Sequence, residues 1–571
     1  MRIAFRSFLS VCAIFFLAQC SAQPLNQKGK FTLQDTLRGT ITKERAWWNV
    51  LRYEIAVTPD YEGKKIKGQV RIVYELTKAA NGKTRMQIDL QEPMNIDRVY
   101  SHDGQVVSVM KTPQGGGSTP HQLNRQLTFA RFGNVYYIND APSKNKIDSI
   151  TIEFSGAPRV AVNAPWDGGW IFTKDAQGRP WMTVACQGLG ASVWYPCKDH
   201  QGDEPDNGAS LTMTVVDSLT AVGNGRLVSK TANSNGTTSW KWNVTNPINN
   251  YNIVPYIGKY VHWHEDFQGE KGNLDCDYWV MDYSLEKSQK QFGRDVKPML
   301  TCFEHWFGPY PFYEDSYKLI ETPHLGMEHQ SAVAYGNRYL DGYLGTDLSR
   351  TGWGKKWDYI IIHESGHEWF ANNITTNDIA DMWIHEGFTM YSEVLFIECQ
   401  YGKEAGSEYC RGLRRSIRND IPLIGPYGVN QEGSGDMYNK GANLIHTIRQ
   451  IINDDKKFLS IMRGLNKTFY HQTTTSKAVE EYISKESGKN FSKVFDQYLR
   501  TTKIPVLEYK INNGTLSYRW GNCNAQFDMP VNTGKVGWLK PTTKWQTKKI
   551  PVGLIETLTP DQNFYITTKK L

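Results

Sequence analysis

Cysteine is scarce in this chain, with nine in 571 residues, two of them in the apolar N-terminal stretch. The other seven are Cys186, Cys197, Cys276, Cys302, Cys399, Cys410 and Cys523. An odd number leaves at least one unpaired in a monomer, and the spacings do not outline a disulfide framework. For any one of them the expectation is a buried free thiol. Charge of one sign is also missing: 65 basic and 58 acidic residues are interspersed, for a net charge of +7. No long basic run points to nucleic acid. The mild basicity favours acidic surfaces or substrates only weakly. No repeat period is visible, and beyond the N-terminus no run is long and apolar enough to span a bilayer. What is present is a globular composition, 40% hydrophobic and 12% aromatic, at a length that accommodates two to four domains.

The N-terminus reads as an export signal. Arg2 and Arg6 supply the charged region, and Phe8 to Ala18 an apolar stretch too short for a membrane span. Cys20-Ser21-Ala22 offers a small-residue cleavage site before Gln23. The alternative is lipidation of Cys20, which would anchor the protein to a membrane. Bulky Gln19 favours cleavage. The expected location is periplasmic or extracellular.

From about Trp47 to Tyr260 the pattern is β. Tyr53, Ile55 and Val57 alternate with polar or small residues, as do Ile66, Val70, Ile72 and Tyr74, and Met86, Ile88 and Leu90. Thr112 to Pro120, with three consecutive glycines, reads as a loop, and Val222-Gly223-Asn224-Gly225 as a turn between strands. Helical patterns dominate from about Leu285 to Arg500, including Lys440 to Ile452. Thr501 to Pro505 reads as a linker. Leu507 to Ile511 and Leu516 to Trp520 flank Asn512-Asn513-Gly514, so the remainder reads as a small β-domain.

The chemistry is concentrated in His363-Glu364-Ser365-Gly366-His367. Histidines at i and i+4 share one helix face and can grip one metal ion. Glu364 can reach a water at that metal. Glu386 follows on a second helical stretch, Asp381 to Tyr401, with Asp381 as the expected N-cap. Two histidines and a glutamate are a donor set for catalytic zinc, one ion per chain, with a position left open. The bland alternative is two structural histidines and a solvated Glu364. It conflicts with Trp357, Ile360, Ile361, Ile362, Trp369 and Phe370, which mark a buried helix whose charges need partners.

Further motifs carry a resemblance. Trp383-Ile384-His385-Glu386-Gly387-Phe388 is similar to W-L-N-E-G-F, Leu325-Gly326-Met327-Glu328-His329 to G-x-M-E-N, and Tyr438-Asn439-Lys440-Gly441 to Y-x-K-G. Phe307 to Pro311 and Tyr195 to Asp199 match two more landmarks. From roughly Trp47 onward the chain resembles the aminopeptidase N and leukotriene hydrolase family of zinc metallopeptidases, the gluzincin aminopeptidases.

The resemblance implies a multidomain α+β fold. It comprises an N-terminal β-sheet domain (23–262 after signal peptide 1–22), a thermolysin-like α/β catalytic domain (263–502) and a small C-terminal β-sandwich-like domain (503–571). A long helical C-terminal domain has no room, which implies a more open cleft. The implied activity is release of N-terminal residues from peptides with a free N-terminus. His363, His367 and Glu386 would hold zinc, Glu364 would act as general base, and the Tyr438 hydroxyl would meet the developing oxyanion. Glu328 would bind the substrate's α-amine beside Gly326 and Met327. Gln187 stands at a second amine-binding position where most relatives carry glutamate.

Departures from the family pattern set further questions. Leu325 replaces a glycine, and the loop beside the substrate is expected to run differently. His329 is either a titrating group near the amine or a hydrogen-bonded structural histidine. His385 either orients the metal shell or packs. Glu393 is either an acceptor for a ligand histidine or a structural carboxylate. The rival functions are a zinc endopeptidase, which needs no ammonium site, and a catalytically dead peptide-binding protein.

Overall fold

The computed structural model describes residues 30–80, 85–102, 106–107, 121–122, 124–142 and 145–571. The expected export segment and the glycine loop at Thr112 to Pro120 lie outside the described residues.

Alternation decides the first region. Strand Trp48–Asp60 buries Tyr53, Ile55 and Val57, while Glu54 and Ala56 are only half-buried. A register shift between Val50 and Arg52 against strand Lys65–Leu76 lets Leu51 turn inward as well. These two strands sit at the centre of an eight-stranded sheet. Ile147–Gly156 and Asn95–Ser101 flank them on one side, and Ala209–Val216 on the other. A four-stranded sheet containing Gly169–Lys174 and Pro180–Ala185 lies in the same region. Trp48, Tyr53, Trp170, Trp194 and Tyr195 share its core. The expected turn joins Thr220–Val222 to Arg226–Ala232, with Gly225 at φ +70°.

The region expected to be catalytic opens on a hairpin, Tyr260–Gly269 with Gly272–Met281, at one edge of a five-stranded sheet. Residues 262 and 263, the expected domain boundary, fall inside its first strand. Tyr317–Glu321, Val333–Tyr335 and Gly326–Met327 complete the sheet. Helix Leu285–Phe307 packs beside it and ends at Gly308, φ +94°. The two helices expected to carry the metal ligands follow, then Asn439–Ile452. Among the described residues, no helix is long and apolar enough to cross a membrane.

The C-terminal residues form a four-stranded sheet around the hairpin Val506–Asn512 and Thr515–Gly521. Leu507, Tyr509, Leu516 and Trp520 belong to the same core as Ile362 and Leu395. This unit therefore has no core of its own and is held by the helices of the preceding region.

Two expectations are corrected. Cys302 and Cys399 are disulfide-bonded, tying helix Leu285–Phe307 to helix Trp383–Tyr401. The buried free thiol was the wrong expectation for this pair, because helix packing brings together cysteines that are 97 residues apart in sequence. Cys186, Cys197, Cys276 and Cys410 are buried free thiols, and Cys523 is a partly buried one. Asp381 does not cap the second helix. It ends a short turn capped by Asp378, whose carboxylate accepts from the Ala380 amide at 2.9 Å. The Asp381 carboxylate instead accepts from the hydroxyls of Tyr427 and Ser476.

Candidate metal centre and active site

The motif helix, Tyr359–Gly366, starts at Asp358, whose carboxylate accepts from the Ile360 and Ile361 amides. That carboxylate is locked in turn by Gln291, Tyr335 and Asn337. Helical geometry holds as far as His367. Phe370 and Ala371 then leave it, Ala371 at φ +146°, and the chain turns away. The turn aims the Phe370 carbonyl back at His367 Nδ1, 3.0 Å away, and Thr389 Oγ1 lies 3.1 Å from the same nitrogen. His363 Nδ1 faces Glu393 Oε1 at 2.6 Å and the Tyr359 hydroxyl at 3.2 Å. Glu393 also accepts from the Tyr409 hydroxyl at 2.6 Å, so its carboxylate is held against the His363 ring.

With both Nδ1 atoms engaged, both Nε2 atoms are left for a shared target. Glu386 Oε2 lies 3.6 Å from Nε2 of His363 and 3.4 Å from Nε2 of His367. This oxygen is buried and makes no hydrogen bond. Ligand atoms of the three residues lie within 4.8 Å of one another. An orphaned carboxylate oxygen between two imidazole nitrogens, each oriented from behind, fits a zinc ion. Burial alone would raise the Glu386 carboxyl, but His367 and His363 hold it far below its usual range.

The remaining predicted residues surround this triad. Glu364 shares the cavity, and burial pushes its carboxyl up to about 7. Gly326 lies against it: a Cβ there would come within 2.7 Å of Glu364 Oε1. Tyr438 starts helix Asn439–Ile452, with its ring stacked on His363 at 5.9 Å between centroids. Its position follows from a pair of glycines. A Cβ on Gly441 would stand 2.8 Å from Gly387 Cα, so only two bare backbones let the helices approach this closely. Burial and then Glu386 raise the Tyr438 phenol well above its usual value, so it stays a donor.

Glu328 follows the short strand Gly326–Met327 and is buried. Its carboxylate Oε1 accepts from Gln187 Nε2 at 2.5 Å and from the Tyr251 hydroxyl at 2.7 Å. Asn372 holds its backbone carbonyl at 2.8 Å. Ligand-type atoms of Glu328, Glu364 and His367 also lie within 4.8 Å of one another. A small cavity of about 50 Å³ joins these groups, with Gln187, Glu328, Met327 and Gly326 lining it beside the triad. Trp166, Leu325, Tyr343 and Tyr359 give it an apolar wall.

The sequence offered no sign of Tyr251, Thr389 or Trp166 at this site, and Tyr359 was not singled out. Tyr359, four residues before His363 on the same helix, was the one within reach of a spacing argument. Of the departures, Leu325 adopts no positive φ, and its carbonyl accepts from the Gly336 amide at 2.7 Å. His329 is a structural histidine: its Nδ1 lies 2.5 Å from the Tyr256 hydroxyl, and burial keeps it neutral. His385 packs. Its Nε2 accepts from the Thr376 amide at 3.0 Å, pinning strand Ile374–Thr376 to the helix.

Residues 293–498 match the family model described as the Peptidase family M1 domain. Mitochondrial aminopeptidase 2 of Saccharomyces cerevisiae is 22% identical over 85% of this chain and 50% of its own length. Leukotriene A-4 hydrolase of Xenopus laevis is 22% identical over 59% of this chain and 54% of its own. The chain thus spans about half the length of the curated relatives it matches. An M1 zinc metallopeptidase of Deinococcus radiodurans, solved with a Tyr-Ser-Ala substrate, superposes with a TM-score of 0.65. It is 18% identical, and the match covers 81% of this chain and 96% of that one. At that identity the likeness speaks for the fold.

Proposed function

Because the chain carries a peptidase family M1 domain over residues 293–498, we propose that it is a zinc-dependent aminopeptidase that removes N-terminal residues from peptides. One observation carries the reading. Buried Glu328 is not one of the three residues that meet at the metal position, yet it faces the same cavity beside the base Glu364. Gln187 and Tyr251 hold it from behind. A carboxylate so placed suits the ammonium of a free N-terminus, and an internal peptide bond has none to offer.

His363, His367 and Glu386 would hold the zinc, which when bound supplies Lewis-acid polarisation of the carbonyl and acidifies water. Glu364 takes the proton of the attacking water and delivers it to the leaving amine. A carboxyl raised by burial to about 7 is suited to both halves of that task. Tyr438 donates its hydroxyl proton in a hydrogen bond to the oxygen that gains charge. Glu328 fixes the N-terminus, so the first peptide bond rather than a later one faces Glu364. Gly326 and Met327 form the short strand from which Glu328 projects.

The test is a pair of peptides differing only in N-acetylation. The free peptide should be shortened from its N-terminus and the acetylated one left intact. Efficient internal cleavage of the acetylated peptide would point to an endopeptidase. No cleavage of either by zinc-loaded protein would point to a peptide-binding role. Export is part of the proposal: the Cys302–Cys399 disulfide supports an oxidising compartment. N-terminal sequencing of the secreted form should begin at Gln23, whereas a lipid-modified Cys20 would mean membrane anchoring.

A further inference from the structure

The cavity beside the metal position leaves little space for a substrate side chain, and one residue stands between it and more room. Its volume is about 50 Å³. One water needs about 10–15 Å³ of such space, so the cavity takes roughly four atoms of that size. An N-terminal residue held by its amine at Glu328, with its carbonyl before Glu364, already brings a nitrogen, a Cα and a carbonyl group. A second cavity, of about 340 Å³, borders the first at Trp166, which lines both. Its walls are polar: Gln34, Asp35 and Arg38 from the helix Leu33–Gly39, then Asn134, and Arg159 and Asp167 from the loop of Trp166 itself. Gly188 and Leu189 also line it, directly after Gln187 of the first cavity.

The loop that carries Trp166 is braced. The Asp167 carboxylate accepts from the amides of Val162 and Asn163 at 2.7 and 2.9 Å. The Trp166 amide donates to the Asn163 carbonyl at 3.0 Å, and Arg159 Nε donates to the Gly168 carbonyl at 3.3 Å. Gly169, at φ +133°, would set a Cβ 2.6 Å from the Arg159 carbonyl oxygen, so the two ends of the loop touch. Pro165 is buried and Trp166 half-buried. A loop tied in this way presents the indole as a fixed wall. The wall formed by Tyr359 is backed by other rings. Tyr359 stacks on Trp357 at 6.0 Å and on His363 at 5.1 Å, and Tyr343 meets its edge at 5.3 Å. Trp166 is backed by space.

We propose that Trp166 determines which N-terminal residue is accepted: by closing off the second cavity it restricts the site to short side chains, those of glycine, alanine and serine. The inference rests on the aminopeptidase reading above. With the indole removed, the two cavities would join, and the polar walls of the second would suit a long polar side chain such as that of glutamine.

The test is a series of tripeptides that differ only at the first residue, each followed by two alanines, with the N-acetylated alanine peptide as the control. Wild type should release glycine, alanine and serine, and kcat/KM should be ~10–200-fold lower for glutamine, leucine and phenylalanine, the range for a misfit in a closed pocket. Trp166→Ala should raise glutamine relative to alanine by a similar factor, and phenylalanine by less. Trp166→Phe should fall between wild type and Trp166→Ala. The readout is the ratio of two substrates on one preparation, which a partly unfolded sample does not alter. Free glutamine should inhibit Trp166→Ala and not wild type. A wild type that releases glutamine or phenylalanine as fast as alanine overturns the proposal, and so does a ratio that neither substitution moves. If neither variant folds, the wild-type ranking alone decides. Release of no residue from any free peptide, or cleavage of the acetylated one, would instead overturn the aminopeptidase reading, and the proposal with it.

Discussion

The two ends of the cleft are built differently. At the metal end, His363, His367 and Glu386 come from two neighbouring helices of one region, and Glu393 and Tyr409 support them from the same helices and the next. A disulfide braces helix Trp383–Tyr401 near its C-terminal end. At the end where the proposal places the substrate's amine, Glu328, Gln187 and Tyr251 come from segments 141 and 77 residues apart, drawn from both regions. Met327 and Ala334 pack in the N-terminal core rather than the catalytic one, so Glu328 stands at the seam. One end rests on helix geometry. The other rests on two regions docking correctly.

The sharpest way to break this contrast is to disable the metal end without dismantling it. Glu364→Gln keeps the shape of the carboxylate and removes its ability to accept a proton. Stopped and steady-state assays should show kcat reduced by ~10²–10⁴-fold with the zinc content unchanged. A variant with wild-type kcat would remove Glu364 from the reaction.

The contrast also explains what could be read from the sequence. The i, i+4 histidines and Glu386 were legible because a helix converts spacing into proximity. The period of two in Tyr53, Ile55 and Val57 was legible for the same kind of reason. Glu328 and Gln187 were placed by resemblance, and Tyr251 was not found at all. Its neighbours, Asn249, Asn250 and Asn252, carry no periodic pattern, and only the docked fold brings its hydroxyl to Glu328. The Cys302–Cys399 pair was missed likewise, because nothing local to either cysteine records the helix packing that joins them. Asp381 failed for a smaller reason: a capped turn at Asp378 comes first, and the aspartate is used by Tyr427 and Ser476 instead.

The next largest effect is expected at the amine end. Glu328→Ala should lower kcat/KM on free-amine peptides by about 2–4 kcal/mol, the range for truncating one partner of a buried charge pair. Zinc content should not change. If Glu328→Ala released zinc, the two ends would be one cluster and the contrast would fail.

Glu393→Gln tests the metal end from behind. Losing the carboxylate at His363 Nδ1 should weaken zinc affinity by ~10–100-fold, measured by competition with a chelator. At saturating zinc, the activity on peptides should recover most of its wild-type value. An affinity equal to wild type would make Glu393 a packing residue only.

The smallest effect sharpens the amine end. Tyr251→Phe removes one neutral donor from Glu328 and leaves Gln187 in place. The Glu328 carboxylate keeps its charge, so its attraction for an ammonium survives; what is lost is one of the two hydrogen bonds that aim it. A neutral hydrogen bond contributes about 0.5–1.5 kcal/mol, so kcat/KM should fall by that amount. The loss should appear in KM more than in kcat, because orientation of the N-terminus is shared by the ground and transition states. Blocked peptides should remain uncut. A drop as large as that of Glu328→Ala would mean that Tyr251 contacts the substrate itself. No change in either constant would mean that Gln187 alone suffices to aim the carboxylate, leaving Tyr251 to the seam between the two regions.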